Sequence, residues 1–132
     1  MAANTSPIFV KNAYQAQANV AAANANRDGT GTLVDLITGT AEGTRVERLR
    51  YQAAVTTTAG MLRVWHYDGT SNRLLDEIPI AANTVSASTP GVSGERSRAD
   101  GQPYALLKSG DKLKITMHNA ESMNVFALAG DF

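Results

Sequence analysis

The stretch Lys112-Leu-Lys-Ile-Thr-Met-His-Asn-Ala-Glu-Ser-Met-Asn-Val-Phe-Ala-Leu-Ala-Gly-Asp-Phe132 sets the fold class of this chain. Leu113, Ile115 and Met117 alternate with Lys112, Lys114, Thr116 and His118. A period of two places apolar side chains on one face of an extended strand and polar ones on the other. A second run follows the polar turn at residues 119–122, and the pair reads as a β-hairpin closing the protein. In that second run Phe126 and Leu128 lie opposite Val125 and Ala127, so both of its faces are expected to be covered, one by the core and one by a neighbouring subunit.

The same grammar runs back through the chain. Tyr104 to Leu107 is strand-like, followed by a turn at Ser109-Gly110-Asp111. Met61-Leu-Arg-Val-Trp-His-Tyr67 and Arg73-Leu-Leu-Asp-Glu-Ile-Pro-Ile80 flank Asp68-Gly69, the strongest local hairpin signal. Pro79 cannot donate to a ladder, so it belongs at a strand end or sheet edge. Residues 44–57 form a long strand in which Leu49, Tyr51, Ala53 and Val55 share a face; Val46 is out of phase, which predicts a bulge near Glu47. Thr32-Leu-Val-Asp-Leu-Ile-Thr38 is a further strand, entered from the Asp28-Gly-Thr-Gly31 turn. Residues 12–26 are alanine-rich, which suits a helix. Yet Gln15, Gln17 and Asn19 alternate with Tyr14, Ala16, Ala18 and Val20, and this favours a strand, with helix the alternative. Residues 81–103 dissolve into Ser, Thr, Gly, Pro and charge; they read as a long loop in which only residues 84–88 suit a strand.

About eight strands with no helical run between them predict an all-β, antiparallel β-sandwich or barrel. With 132 residues one core suffices, so residues 13–132 are expected to form a single domain, preceded by an arm or edge strand at 1–12 carrying Ile8 and Phe9. Cysteine is absent, which removes thiol chemistry and thiolate metal sites. Twelve basic residues balance twelve acidic ones, so no global field draws in nucleic acid or a membrane surface. The start, Met1 to Pro7, has neither a basic region nor an apolar run, and no later run approaches the roughly 18 apolar residues of a spanning helix; a soluble protein without a classical export signal is expected.

Catalytic constellations are missing. His66 and His118 lack a third ligand at short spacing. Asp28-Gly-Thr-Gly31 and Asp68-Gly-Thr-Ser-Asn72 lack the alternating acids of a calcium loop, and turn chemistry explains them. Adjacent Asp76 and Glu77 point to opposite faces. No nucleophile elbow or phosphate-binding glycine pattern is present. The expectation is therefore no enzyme and no cofactor. Arg48 and Arg50 share a strand face that Arg63 could join; this is either a solvated face or a protein contact, for which the planar guanidinium is well suited. Trp65 and Tyr67 share a face with Met61 and serve either core packing or an exposed platform.

Residues 25–39, Ala-Asn-Arg-Asp-Gly-Thr-Gly-Thr-Leu-Val-Asp-Leu-Ile-Thr-Gly, and 119–132, Asn-Ala-Glu-Ser-Met-Asn-Val-Phe-Ala-Leu-Ala-Gly-Asp-Phe, with the phrases at 58–70 and 74–79 between them, resemble a family of small virion proteins of tailed bacteriophages and prophages. The chain is similar there to capsid decoration, or cement, subunits. That resemblance implies a jelly-roll sandwich on the exterior of the phage head, made in the host cytoplasm and joined in a homo-oligomer, a trimer being favoured. Its partner would be the major capsid protein, with no nucleic acid or membrane bound. Ile8, Phe9, Arg48, Arg50, Arg96, Arg98, Phe126 and Leu128 are the expected protein contacts. The rival readings are a tail, neck or fibre-associated β protein, a carbohydrate-binding module using Trp65 and Tyr67, and a small hydrolase.

Overall fold

Residues 10–132 are described by a computed structural model of the chain. Among these residues nine strands follow one another: β1 (Asn12–Val20), β2 (Val34–Thr38), β3 (Thr44–Ala53), β4 (Gly60–Tyr67), β5 (Asn72–Ile80), β6 (Ser93–Arg96), β7 (Ala105–Leu107), β8 (Lys112–Met117) and β9 (Met123–Asp131). They form two antiparallel sheets. The first has the order β1-β9-β3-β6 with β7 also on β3, and the second the order β2-β8-β4-β5. This interleaving is that of a two-sheet jelly roll. Residues 12–20 are a strand, as their alternation predicts, because β1 lays Tyr14, Ala16 and Ala18 on the core and leaves Gln15, Gln17 and Asn19 exposed.

The closing segment is not a hairpin. β8 pairs with β2 and β4, whereas β9 pairs with β1 and β3 in the other sheet. Leu113, Ile115 and Met117 thus face Val125, Ala127 and Ala129 across one core. The chain crosses between sheets at residues 118–122, and that arch is tied to the neighbouring crossover of residues 54–59. Asn119 Nδ2 donates to Thr58 Oγ1 at 2.9 Å, the Thr58 amide to Glu121 Oε2 at 2.9 Å, and the Ala54 amide to the Ser122 carbonyl at 3.1 Å. By contrast β4 and β5 do form the predicted hairpin. Its turn places Gly69 at φ +96, where a side chain would be strained, and Pro79 lies near the end of β5, a sheet edge.

The predicted bulge is present, since the β3–β9 register shifts between Val46 and Arg48. It brings Val46 and Leu49 both into the core at 0% exposure. The expectation for residues 81–103 needs correction. Residues 84–88 are not a strand, and β6 lies instead at Ser93–Arg96, paired with Leu49–Gln52 of β3. β7 pairs with Thr44–Val46, so β6 and β7 together form one edge interrupted by an excursion over residues 97–104, opposite the bulge. Gly94 in β6 has a packing reason: a Cβ there would fall 2.3 Å from the Tyr51 hydroxyl. The expected strand extending to Thr57 stops at Ala53, where the chain leaves for the second sheet, and Val55 is 38% exposed. Ile8 and Phe9 lie outside the described residues.

Candidate functional site

The outward face of the first sheet is built by the same alternation that builds the core. On β9, Met123, Val125, Ala127 and Ala129 are buried while Asn124, Phe126 and Leu128 turn away from the core. Strand register then lines up rows across four strands. One row runs Gln17, Phe126, Arg50, Glu95 over β1, β9, β3 and β6; the next runs Gln15, Leu128, Arg48. Four of the residues predicted as contacts, Arg48, Arg50, Phe126 and Leu128, therefore meet in two adjacent rows. Arg48 Nη1 reaches Glu95 Oε1 at 3.3 Å with both side chains about half exposed, a pair worth no more than about 1 kcal/mol. Shallow grooves flank the apolar pair, one between Phe126, Arg50, Ser93 and Glu95, another between Leu128, Arg48, Glu47 and Gln15. The face thus sets the partly exposed pair Phe126 and Leu128 among arginines, acids and amides.

The other predicted contacts are placed elsewhere. Arg96 turns inward at the sandwich edge and joins the two sheets: its Nη2 and Nε donate to Asp76 of β5 at 2.7 and 3.0 Å, and Tyr104 Oη donates to the same carboxylate at 3.0 Å. Burial acts to raise the Asp76 pKa, but the bonds from Arg96 and Tyr104 outweigh it and hold the carboxyl below its ordinary range. Burial, followed by the Asp76 charge, pushes the Tyr104 phenol well up. Arg98 is exposed on the excursion, 3.5 Å from Asp100.

Arg63 does not join Arg48 and Arg50. It lies on the outward face of the second sheet, 5% exposed, with Nε 3.0 Å from Glu77 Oε1. Hydrogen bonding from Arg63 is the main reason the Glu77 carboxyl sits below its usual range. Trp65 shares this face and is 1% exposed, its Nε1 donating to Thr116 Oγ1 at 3.0 Å. Buried it is, but outside the inter-sheet core. The segment between β1 and β2 straps this face. Ala23 bridges Met117 of β8, Arg27 pairs with Glu77, and Asn72 Nδ2 donates to the Gly29 carbonyl at 3.0 Å. A Cβ on Gly29, at φ +84, would lie 2.8 Å from the Asn72 carbonyl oxygen, so the strap needs glycine where it touches β5. Tyr67 is half-buried beneath Lys114 Nζ, 4.2 Å from the ring centre. This face offers no exposed indole on which a sugar could stack.

His66 Nε2 lies 3.0 Å from Asp111 Oδ2, and His118 is exposed beyond the far end of β8. Among the described residues no group of three His, Asp or Glu side chains is placed to hold a metal ion. No helix there is long and apolar enough to cross a membrane.

Sequence reasoning did not single out the amide row of β1, Glu95, or the Asp76–Arg96–Tyr104 cluster. The β1 amides were visible as alternation; the others depend on register between distant strands.

No family model matches this chain, and no curated protein sequence matches it. Among solved structures, it is similar to a chain from the capsid of Ralstonia phage GP4, with a TM-score of 0.50 and 9% identity over 99% of this chain and 92% of that one. The likeness spans nearly the whole of both chains, so what they share is the complete sandwich.

Proposed function

We propose that this chain is a non-enzymatic structural protein of a phage virion, and specifically a decoration subunit that lies on the outside of the head and clamps neighbouring major capsid proteins. The observation that carries the reading is the convergence of Phe126, Leu128, Arg48 and Arg50 on one outward sheet face. The jelly-roll likeness to a chain from a phage capsid supports the setting. A cement needs a rigid platform and contacts on more than one neighbour, because modest contacts made together gain through effective concentration. Anything that binds the assembled shell and not its separated parts stabilises the shell by mass action.

The test is to mix purified protein with phage heads lacking it and to measure co-sedimentation and the temperature at which the shell breaks. Heads should bind the protein and break at higher temperature. Phe126→Asp with Arg48→Glu should fold normally and fail to bind. An intact protein that never associates with heads, or that associates only with tails, would sink the proposal.

A further inference from the structure

Among the described residues the two sheets have four edges, and three of them carry features that discourage pairing with another strand. β2 is five residues long, carries Asp35 and breaks register between Asp35 and Ile37. β5 carries Arg73, Asp76, Glu77 and Pro79 and is offset from β4 by a bulge. The β6–β7 edge is split by the excursion and carries Glu95 and Arg96. β1 has none of these devices. Its nine residues pair with β9 from Asn12↔Asp131 to Val20↔Met123 without a shift, and residues 12–26 contain neither a charge nor a proline. Among the described residues nothing pairs with its outer side.

We infer that the outer edge of β1 is a self-association site, pairing antiparallel with β1 of a second copy of this chain about a twofold axis at Ala16. The occupant follows from the sequence of the edge. A twofold sets the edge against a reversed copy of itself, so an edge bearing charges of one sign would repel itself, whereas amides can donate and accept in the same row. About Ala16 the triplet Gln15-Ala16-Gln17 reads the same in both directions. Gln15 meets Gln17 of the second copy and Gln17 meets Gln15, both rows lying on the exposed face; Tyr14 meets Ala18 on the inner side, large against small. The joined sheet would carry Glu95, Arg50, Phe126 and Gln17 directly on to Gln15, Leu128 and Arg48 of the second copy, doubling the candidate face. The inference stands whether or not the protein belongs to a virion.

Sedimentation of the full chain over a concentration series tests it. The parent should form a dimer. Gln15→Lys/Gln17→Lys should remain folded by circular dichroism, since both positions are exposed, and should dimerise about tenfold or more weakly because like charges oppose each other across the strands. Gln15→Glu/Gln17→Glu should behave alike, and mixing the two variants should restore a dimer containing one of each. Ala16→Cys provides a second measure in a chain without cysteine: strands paired at Ala16 bring the two Cα atoms within about 4.5–5.5 Å, and mild oxidation should link them. A parent that stays monomeric at millimolar concentration, or a trimer whose mass neither charge variant changes, would overturn the inference. So would an Ala16→Cys protein that yields no crosslink.

Discussion

Replacing Asp76 by Asn removes the charge that holds β5 of one sheet to β6 and the Tyr104 segment of the other. Asp76 accepts two hydrogen bonds from Arg96 at 2.7 and 3.0 Å and one from Tyr104 at 3.0 Å. Its side chain is 19% exposed and that of Arg96 42%. Breaking a fully buried pair costs about 3–5 kcal/mol and an exposed one about 0–1, so this half-wet cluster is assigned about 2 kcal/mol. For 132 residues, an unfolding entropy of about 2.1 cal/mol/K per residue turns that loss into a melting point about 7 °C lower. The pH dependence supplies an independent check. Because the folded Asp76 pKa is depressed, its stabilisation is fully present above the unfolded value of about 3.9 and is lost as pH falls through the folded value. The gap in melting temperature between parent and variant should therefore be widest at neutral pH and should close on acidification below about pH 4, while Asp35 and Glu77, also depressed, contribute equally to both proteins. Thermal unfolding followed by circular dichroism between neutral and strongly acidic pH measures both quantities. A neutral-pH difference under about 1 °C, or a gap that does not change with pH, would refute the reasoning.

Trp65 should emit as a buried indole and resist acrylamide, and Trp65→Ala should cost about 3–5 kcal/mol in urea unfolding; quenching like that of a free indole would contradict the strap over the second sheet. Gly94→Ala should cost about 1–3 kcal/mol through collision with Tyr51, and a double-mutant cycle with Tyr51→Ala should return much of it; strictly additive losses would mean that the two side chains do not meet.

The candidate face was half legible in the chain. Alternation alone put Phe126 and Leu128 opposite Val125 and Ala127, and Arg48 and Arg50 on one side of their strand. It could not say that β9 lies beside β3 and brings those two pairs together, nor that Arg63 belongs to the other sheet and Arg96 to the sandwich edge. Trp65 shows the same limit. The pattern left it between core packing and an exposed platform, and the strap on its face is tied to β5 by contacts 43 and 50 positions apart.

What the residues determined unaided is local: which segments are extended, which side of each is apolar, where Gly69 turns the β4–β5 hairpin and where a bulge corrects the phase of Val46. What only the tertiary structure decided is which strand hydrogen-bonds to which. The closing segment illustrates why. A period of two records that one side of a strand is covered, and the core covers β8 and β9 equally well whether they lie side by side in one sheet or face each other from two. Main-chain hydrogen bonds run in the plane of the sheet, at right angles to the direction in which side chains alternate, and so leave no trace in the pattern. The contacts that chose the arch over the hairpin are β2 and β4 on one side, β1 and β3 on the other, all remote in sequence from the segment they divide.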